Sequence, residues 1–394
     1  MRMRTLALAL SFVAACSDGL GPVPAGTFGS ASSGLYHTCG LLGDGTAYCW
    51  GLNGNLQLGT GAANNRDTVP RPVTGELTFT RIDASAGNTC GLTPAGKAYC
   101  WGSDMGEGAL GSDTAVLTPV PVPVDGRLTF RTITLGRSHT CALTTGGAAY
   151  CWGSNASGAL GRDTNLQFVK TPVPVAGGHT FSAIAAGDYH TCAIEVGGAA
   201  YCWGSNVFGA VGTGDTGSRT PHPIPEAVAG GHLYKAIDGG NVHTCALTRR
   251  GEAYCWGSGV FGQVGDGTQE LRRTPVLVSG GRTFTALSLG SGHSCALATG
   301  GQLYCWGYDA VAQLGAPAPH SCHFGALGDS VPCAKAPVAA AGALRFRTVA
   351  AGGFHTCAIG SGGGAYCWGS NGEGQLGHGD ADNVIATAVR VADP

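Results

Sequence analysis

The chain has 394 residues, 43% of them apolar and only 12% charged, so it carries the makings of a large core and is not a disordered polymer. Its 22 basic and 24 acidic residues give a formal net charge of -2 with no basic run, which supplies no electrostatic footprint for a phosphate backbone and argues against nucleic-acid binding. Glycine is abundant at 69 residues and all seven tryptophans share one local context, a first sign of internal repetition.

The N-terminus reads as an export signal. Arg2 and Arg4 precede "TLALALSFVAA", an apolar stretch too short to span a bilayer as a permanent helix. Val13, Ala14 and Ala15 before Cys16 resemble the lipobox of bacterial lipoproteins, in which the cysteine is acylated and becomes the first mature residue. Ordinary signal-peptide cleavage beside an incidental cysteine is the alternative. The expected organisation is a leader over residues 1–15, a flexible tether over 16–26 and one repeat domain over 27–394.

From residue 27 onward one unit recurs. First cysteines fall at 39, 90, 141, 192, 245, 295 and 357, a period of about fifty residues that indicates a propeller or a solenoid. In each unit a β-prone run such as "HTCAL" and another such as "AYCW" flank a glycine-bearing turn, which is a hairpin signal. The pairs Cys39 and Cys49, Cys90 and Cys100, Cys141 and Cys151, Cys192 and Cys202, Cys245 and Cys255, Cys295 and Cys305, and Cys357 and Cys367 then face each other across the hairpin. Opposed antiparallel residues lie about 4.5–5.5 Å apart at Cα, within disulfide range. Zinc sites place their cysteines two to four residues apart, so the spacing favours disulfides, each worth about 2–3 kcal/mol in the loop-entropy account. With Cys16 set aside, Cys322 and Cys333 complete an even count in an oxidising compartment.

A full unit, residues 128–175, holds four strand-like runs around "TFRTITL", "HTCAL", "AAYCW" and "TPVPV", the make-up of one propeller blade, and no segment has a helical period. The motifs "WGSNGEGQLG" (368–377), "WGLNGNLQLG" (50–59) and "GSGHSCAL" (290–297) resemble the regulator of chromosome condensation repeat. That resemblance covers nearly all of residues 27–394 and implies an all-β, seven-bladed propeller of four-stranded blades. Both ends of the domain fall at unit boundaries, "TFGSASSG" (27–34) and "TAVRV" (387–391), and the sequence leaves open whether the last strand joins the first or the last blade.

Chemistry-bearing residues read as structural. His37, His139, His190, His243, His293 and His355 occupy one position of the unit, with Asn88 in the remaining copy, so they are spread round a ring instead of converging on a site. Trp50, Trp101, Trp152, Trp203, Trp256, Trp306 and Trp368 read as packing between blades. "GTGDTG" (212–217) matches a dinucleotide fingerprint by letters but lacks a following helix. Asp44, Asp380 and Asp382 sit in glycine-rich turns that account for them. No recurrent carboxylate pair and no nucleophile beside a base stand out, so no catalytic residue, metal or cofactor is assigned and a non-enzymatic monomer is expected.

Alternating strand direction places the loops between first and second strands on the same face as those between third and fourth. Those loops hold the aromatic and aliphatic candidates for partner binding: Tyr36, Tyr189, Phe208, Val242, Val260, Phe261, Tyr308 and Phe354. Tyr189, Phe208, Val242, Val260 and Phe261 stand on neighbouring units and form the expected hot spot, unless they fold inward to plug the central channel. The sixth unit adds a loop over 316–337, where His320 and His323 flank Cys322 in a pattern that a disulfide with Cys333 explains better than a metal. The composite expectation is an exported, lipid-anchored binding scaffold of the cell envelope with a protein partner and no nucleic acid. An inhibitor or modulator of an envelope enzyme, a β-lactamase or penicillin-binding protein, is the alternative, and a glycan-binding or hydrolytic propeller the third. The resemblance also brings to mind guanine-nucleotide exchange on chromatin, which conflicts with the leader, the cysteines and the neutral charge.

Overall fold

The computed structural model describes residues 27–215, 221–325 and 329–394. The leader, Cys16, the tether and part of "GTGDTG" lie outside the described residues.

Seven antiparallel sheets follow one another, six of them sequential four-strand meanders. Blade 1 is formed by Phe28–Ser33, His37–Leu42, Ala47–Leu52 and Arg66–Pro72, and the same four-strand order repeats round the ring to Val384–Arg390. The first strand of each blade lines the central channel. Prolines such as Pro70, Pro121 and Pro172 stand in the outermost strands, where a missing ladder donor costs least and blunts an open edge.

Blade 6 departs from the expected four strands. The 316–337 segment is no free loop: Asp329–Ala339 is the fourth strand, and His320–Phe324 pairs with it as a fifth. Cys322 and Cys333 bridge the two strands with Cα atoms 5.8 Å apart, while His320 and His323 are exposed on either side. The C-terminal strand pairs with Ala365–Ser370 inside blade 7, so no strand is shared across the closure.

The seven repeated cysteine pairs are disulfides between directly opposed residues, for example Cys141 and Cys151. Their Cα atoms are 4.1 Å apart, closer than the spacing expected for the ladder. With all eight bridges formed, the denatured, unreduced protein is expected to titrate no more than the Cys16 thiol with a thiol reagent; several free thiols would break this framework.

Blades are joined by a repeated polar and aromatic lock, and the sequence motifs are its parts. After the third strand the chain turns back: the Asn155 side chain accepts the amide of Leu160, and Asn53, Asn206 and Asn371 do the same for Leu58, Val211 and Leu376. This brace buries the leucine or valine and lays the next glycine on the following blade's tryptophan. A Cβ on Gly59 would stand 2.5 Å from the Trp101 ring, and Gly377 meets Trp50 in the same way, which closes the ring. The carbonyl of Gln375 accepts both the Trp50 indole N–H (2.9 Å) and the Thr38 hydroxyl (2.9 Å), and five other interfaces follow suit, whereas the Gln57 carbonyl takes the Thr89 hydroxyl and the Trp101 indole N–H finds no partner among the described residues. All seven tryptophans are buried. The glycine after each tryptophan has positive φ, as at Gly153 (φ 96°), where a side chain would strike the backbone of Ser138 and His139.

Each repeated histidine completes the lock. His139 Nε2 lies 2.9 Å from Thr191 Oγ1, and His37, His190, His243, His293 and His355 reach Thr89, Thr244, Ser294, Thr356 and Thr38 at 2.8–2.9 Å. Because each hydroxyl already donates to a carbonyl, it accepts from the histidine, which fixes the neutral ring with its proton on Nε2. Burial alone lowers the pKa of His37 and His293 to about 3 and of His190 to about 4; His139, His243 and His355 also fall to about 3, chiefly by burial, with smaller pushes from neighbouring histidines.

Candidate protein-binding face

Two concave or apolar features stand out, the channel and the loop face. The channel encloses about 770 Å³ and is lined mainly by hydroxyl, alanine and charged side chains of the innermost strands, including Ser32, Asp83, Thr134, Asp238 and Ser288. Those five share one position of the repeat. Asp83 accepts the amide of Leu135 (2.8 Å) and the Ser32 hydroxyl (2.9 Å), and Asp238 accepts the amide of Leu289 (2.9 Å). Thr134 and Ser288 accept the amides of Ala186 and Ala351. The side chain at this position therefore clips one innermost strand to the next, and the carboxylates have the same task as the hydroxyls. Burial raises both acids, Asp238 to about 7, against the pull of those amides. The two channel acids escaped the sequence reading because it looked for carboxylates in loops; their shared place in the repeat was the available signal.

At the loop face the channel narrows to about 90 Å³ among Gly34, Gly240, Gly290, Gly352 and their neighbours. No aromatic side chain lines either space, so the candidate aromatics do not plug the channel.

The aromatic candidates are partitioned in a way the sequence did not anticipate. Tyr36 stacks on Phe354 (centroids 5.8 Å), Phe354 meets Tyr308 edge-on (6.4 Å), Tyr308 meets Phe261 (5.0 Å), and Phe261 meets Phe324 (5.5 Å). A single aromatic row thus runs across blades 5, 6, 7 and 1, each ring keeping part of its surface in solvent. Phe324 belongs to the fifth strand of blade 6 and was missed because the insert was read as a loop. Tyr189 and Phe208, 40% and 47% exposed, make no ring contact with the row or with each other, and Val242 and Val260 are half-buried, so the expected hot spot on units four and five is not a single cluster. Tyr308 is held above the usual phenol range by burial.

His378, Asp380 and Asp382 bring ligand-type atoms within 4.8 Å of one another, the one group of this kind among the described residues. Both acids are exposed in the turn before the last strand, where the Asp380 carbonyl accepts the Asn371 side-chain amide.

The RCC1-like domain family matches residues 19–323, and regulator of chromosome condensation repeats match 300–359 and 346–375. The chain belongs to the RCC1-like family. This RCC1-like propeller is 30% identical over 246 residues to the ultraviolet-B receptor UVR8 of Arabidopsis thaliana, covering 61% of this chain and 55% of that protein. It is 31% identical over 258 residues to protein pim1 of Schizosaccharomyces pombe, covering 59% and 47%. The chain thus spans about half the length of these curated relatives. In fold it resembles Prp20p of Saccharomyces cerevisiae, with a TM-score of 0.77, 22% identity and coverage of 93% of this chain and 88% of that one. Prp20p is described with binding properties to Gsp1p and histones.

Proposed function

We propose that this RCC1-like propeller is an exported, lipid-anchored scaffold that binds a protein partner through its loop face and does not transform it. The aromatic row over blades 5, 6, 7 and 1 carries the reading. Clustered rings on a rigid frame supply large contact area at small entropic cost, the make-up of an interface hot spot. Relatives of the family that bind proteins, Prp20p among them, support a binding role; the leader and the "VAAC" sequence support the compartment. The side chains that look most like catalytic groups, Asp83, Asp238 and the six histidines, are all engaged in joining blades.

Crosslinked capture from envelope extract tests the proposal. Phe261→Asp is expected to abolish capture of a partner held by the parent protein while the melting temperature stays within a few degrees; Phe208→Asp, outside the row, is expected to leave capture intact. Loss of binding only with Phe208→Asp would move the interface to blade 4. Inhibition of β-lactamase or penicillin-binding protein activity by the purified protein would favour the enzyme-modulator reading over a passive scaffold.

A further inference from the structure

The face opposite the aromatic row has a different character. On blades 5 to 7 the cysteine-hairpin turns and blade-to-blade connections bring together Lys235, Arg249, Arg250, Arg282, Arg345 and Arg347, all exposed except Arg347, which is half-buried. Arg249 and Arg250 form the tip of the blade 5 hairpin. Arg282 lies 4.7 Å over the Tyr304 ring, which holds its guanidinium at the surface. Two carboxylates stand among them: Asp393 is paired with Arg390 at 2.9 Å, while Glu252 accepts the Thr248 hydroxyl at 3.1 Å and keeps its charge, so the six cations outnumber the one uncompensated acid. A chain whose formal charge is -2 overall therefore carries a strongly cationic sector on one face.

The first described residue lies on this same face. Thr27 sits against the hairpin turn of blade 7, where a Cβ added to Gly363 would be 3.0 Å from it. The cationic sector and the point at which residues 1–26 join the propeller are therefore neighbours.

We propose that the hairpin face of blades 5 to 7 docks on an anionic lipid surface, turning the aromatic row on the opposite face outward. Clustered cations near a membrane gain from the negative surface potential, and the gain decays within a Debye length, so the sector must lie nearly flat on the headgroups. A tether joining at this face allows that orientation; one joining at the loop face would oppose it. The docking does not rest on acylation of Cys16, and it orients the scaffold proposed above.

The test uses the oxidised full chain carrying Cys16→Ser, which removes any acyl contribution, in co-sedimentation with phosphatidylcholine vesicles with and without phosphatidylglycerol. Partition is expected to favour the anionic vesicles by roughly tenfold or more at low salt, to vanish at high salt, and to fall on the order of fivefold for each cation removed by Arg249→Gln and Arg250→Gln. Arg66→Gln, on the loop face, is expected to change nothing. Phe261→Asp should partition like the parent, so failed docking and failed partner capture are separate results. Equal partition into neutral and anionic vesicles, full binding by the double arginine variant, or binding to heparin or duplex DNA without vesicle binding would each overturn the proposal.

Discussion

Acidification is expected to unfold this propeller over a narrow range below about pH 6, well before its carboxylates protonate in an unfolded chain. Six imidazoles are held neutral, with folded-state pKa values of about 3 to 4 against 6.5 for an exposed histidine. Between those values the unfolded chain binds protons that the folded one refuses, so stability falls as pH falls. Each histidine adds up to about 1.4 kcal/mol per pH unit to the slope. Asp238, raised to about 7, works in the opposite direction, because its contribution is complete at low pH and is lost as pH rises from about 4 toward 7; Asp309, raised to about 6, and Asp83 and Asp188 shift the same way. Six histidines outweigh these four acids. Denaturant titrations at pH 7, 5.5 and 4.5 check the slope, and a midpoint unchanged across that range would mean the rings are not buried neutral. The bridges should slow complete chain expansion, so the readout is loss of tryptophan burial rather than of compactness.

The second large effect is expected at the glycines that face those rings. A Cβ on Gly136 would fall within the His139 imidazole and stand 2.6 Å from the Gly187 carbonyl oxygen. Gly136→Ser alone is therefore expected to cost more than about 3 kcal/mol. Blade 2 contains the compensated form of this change: Ser85 stands where the other blades have glycine, Asn88 stands where they have histidine, and the Ser85 hydroxyl donates to the Gly136 carbonyl. The double variant Gly136→Ser, His139→Asn should recover at least half of the loss and flatten the acid slope by one histidine. Additive losses in the double-mutant cycle would show that the two positions are not coupled.

The pair Ser85 and Asn88 shows where sequence reasoning was sound and where it stopped. The histidine position and its asparagine exception could be read from the repeat, because the pattern recurs in the same local context. Its partner could not, because Ser85 is displaced in sequence from the contact that explains it, the carbonyl of Gly136 in the next blade. The same limit applied to the face. Tyr36, Phe261, Tyr308 and Phe354 were recognisable as exposed loop aromatics, but whether they meet one another or Tyr189 and Phe208 depends on loop heights on different blades. Phe324 was hidden by the insert, whose strand character appears only when it pairs with Asp329–Ala339.

The sequence alone determined the repeat, its four strands, the cysteine bridges and the inward tryptophans, because each is enforced within one hairpin or by one recurring motif whose local geometry has few solutions. The tertiary structure decided ring closure inside blade 7, the fifth strand of blade 6, the strand-clipping roles of Asp83 and Asp238, and the separation of an aromatic face from a cationic one. The clipping roles and the two faces depend on contacts between residues about fifty positions apart or more, set by how neighbouring blades pack, whereas the fifth strand and the closing strand pair within their own blades, where no local preference of the chain chooses the edge they join.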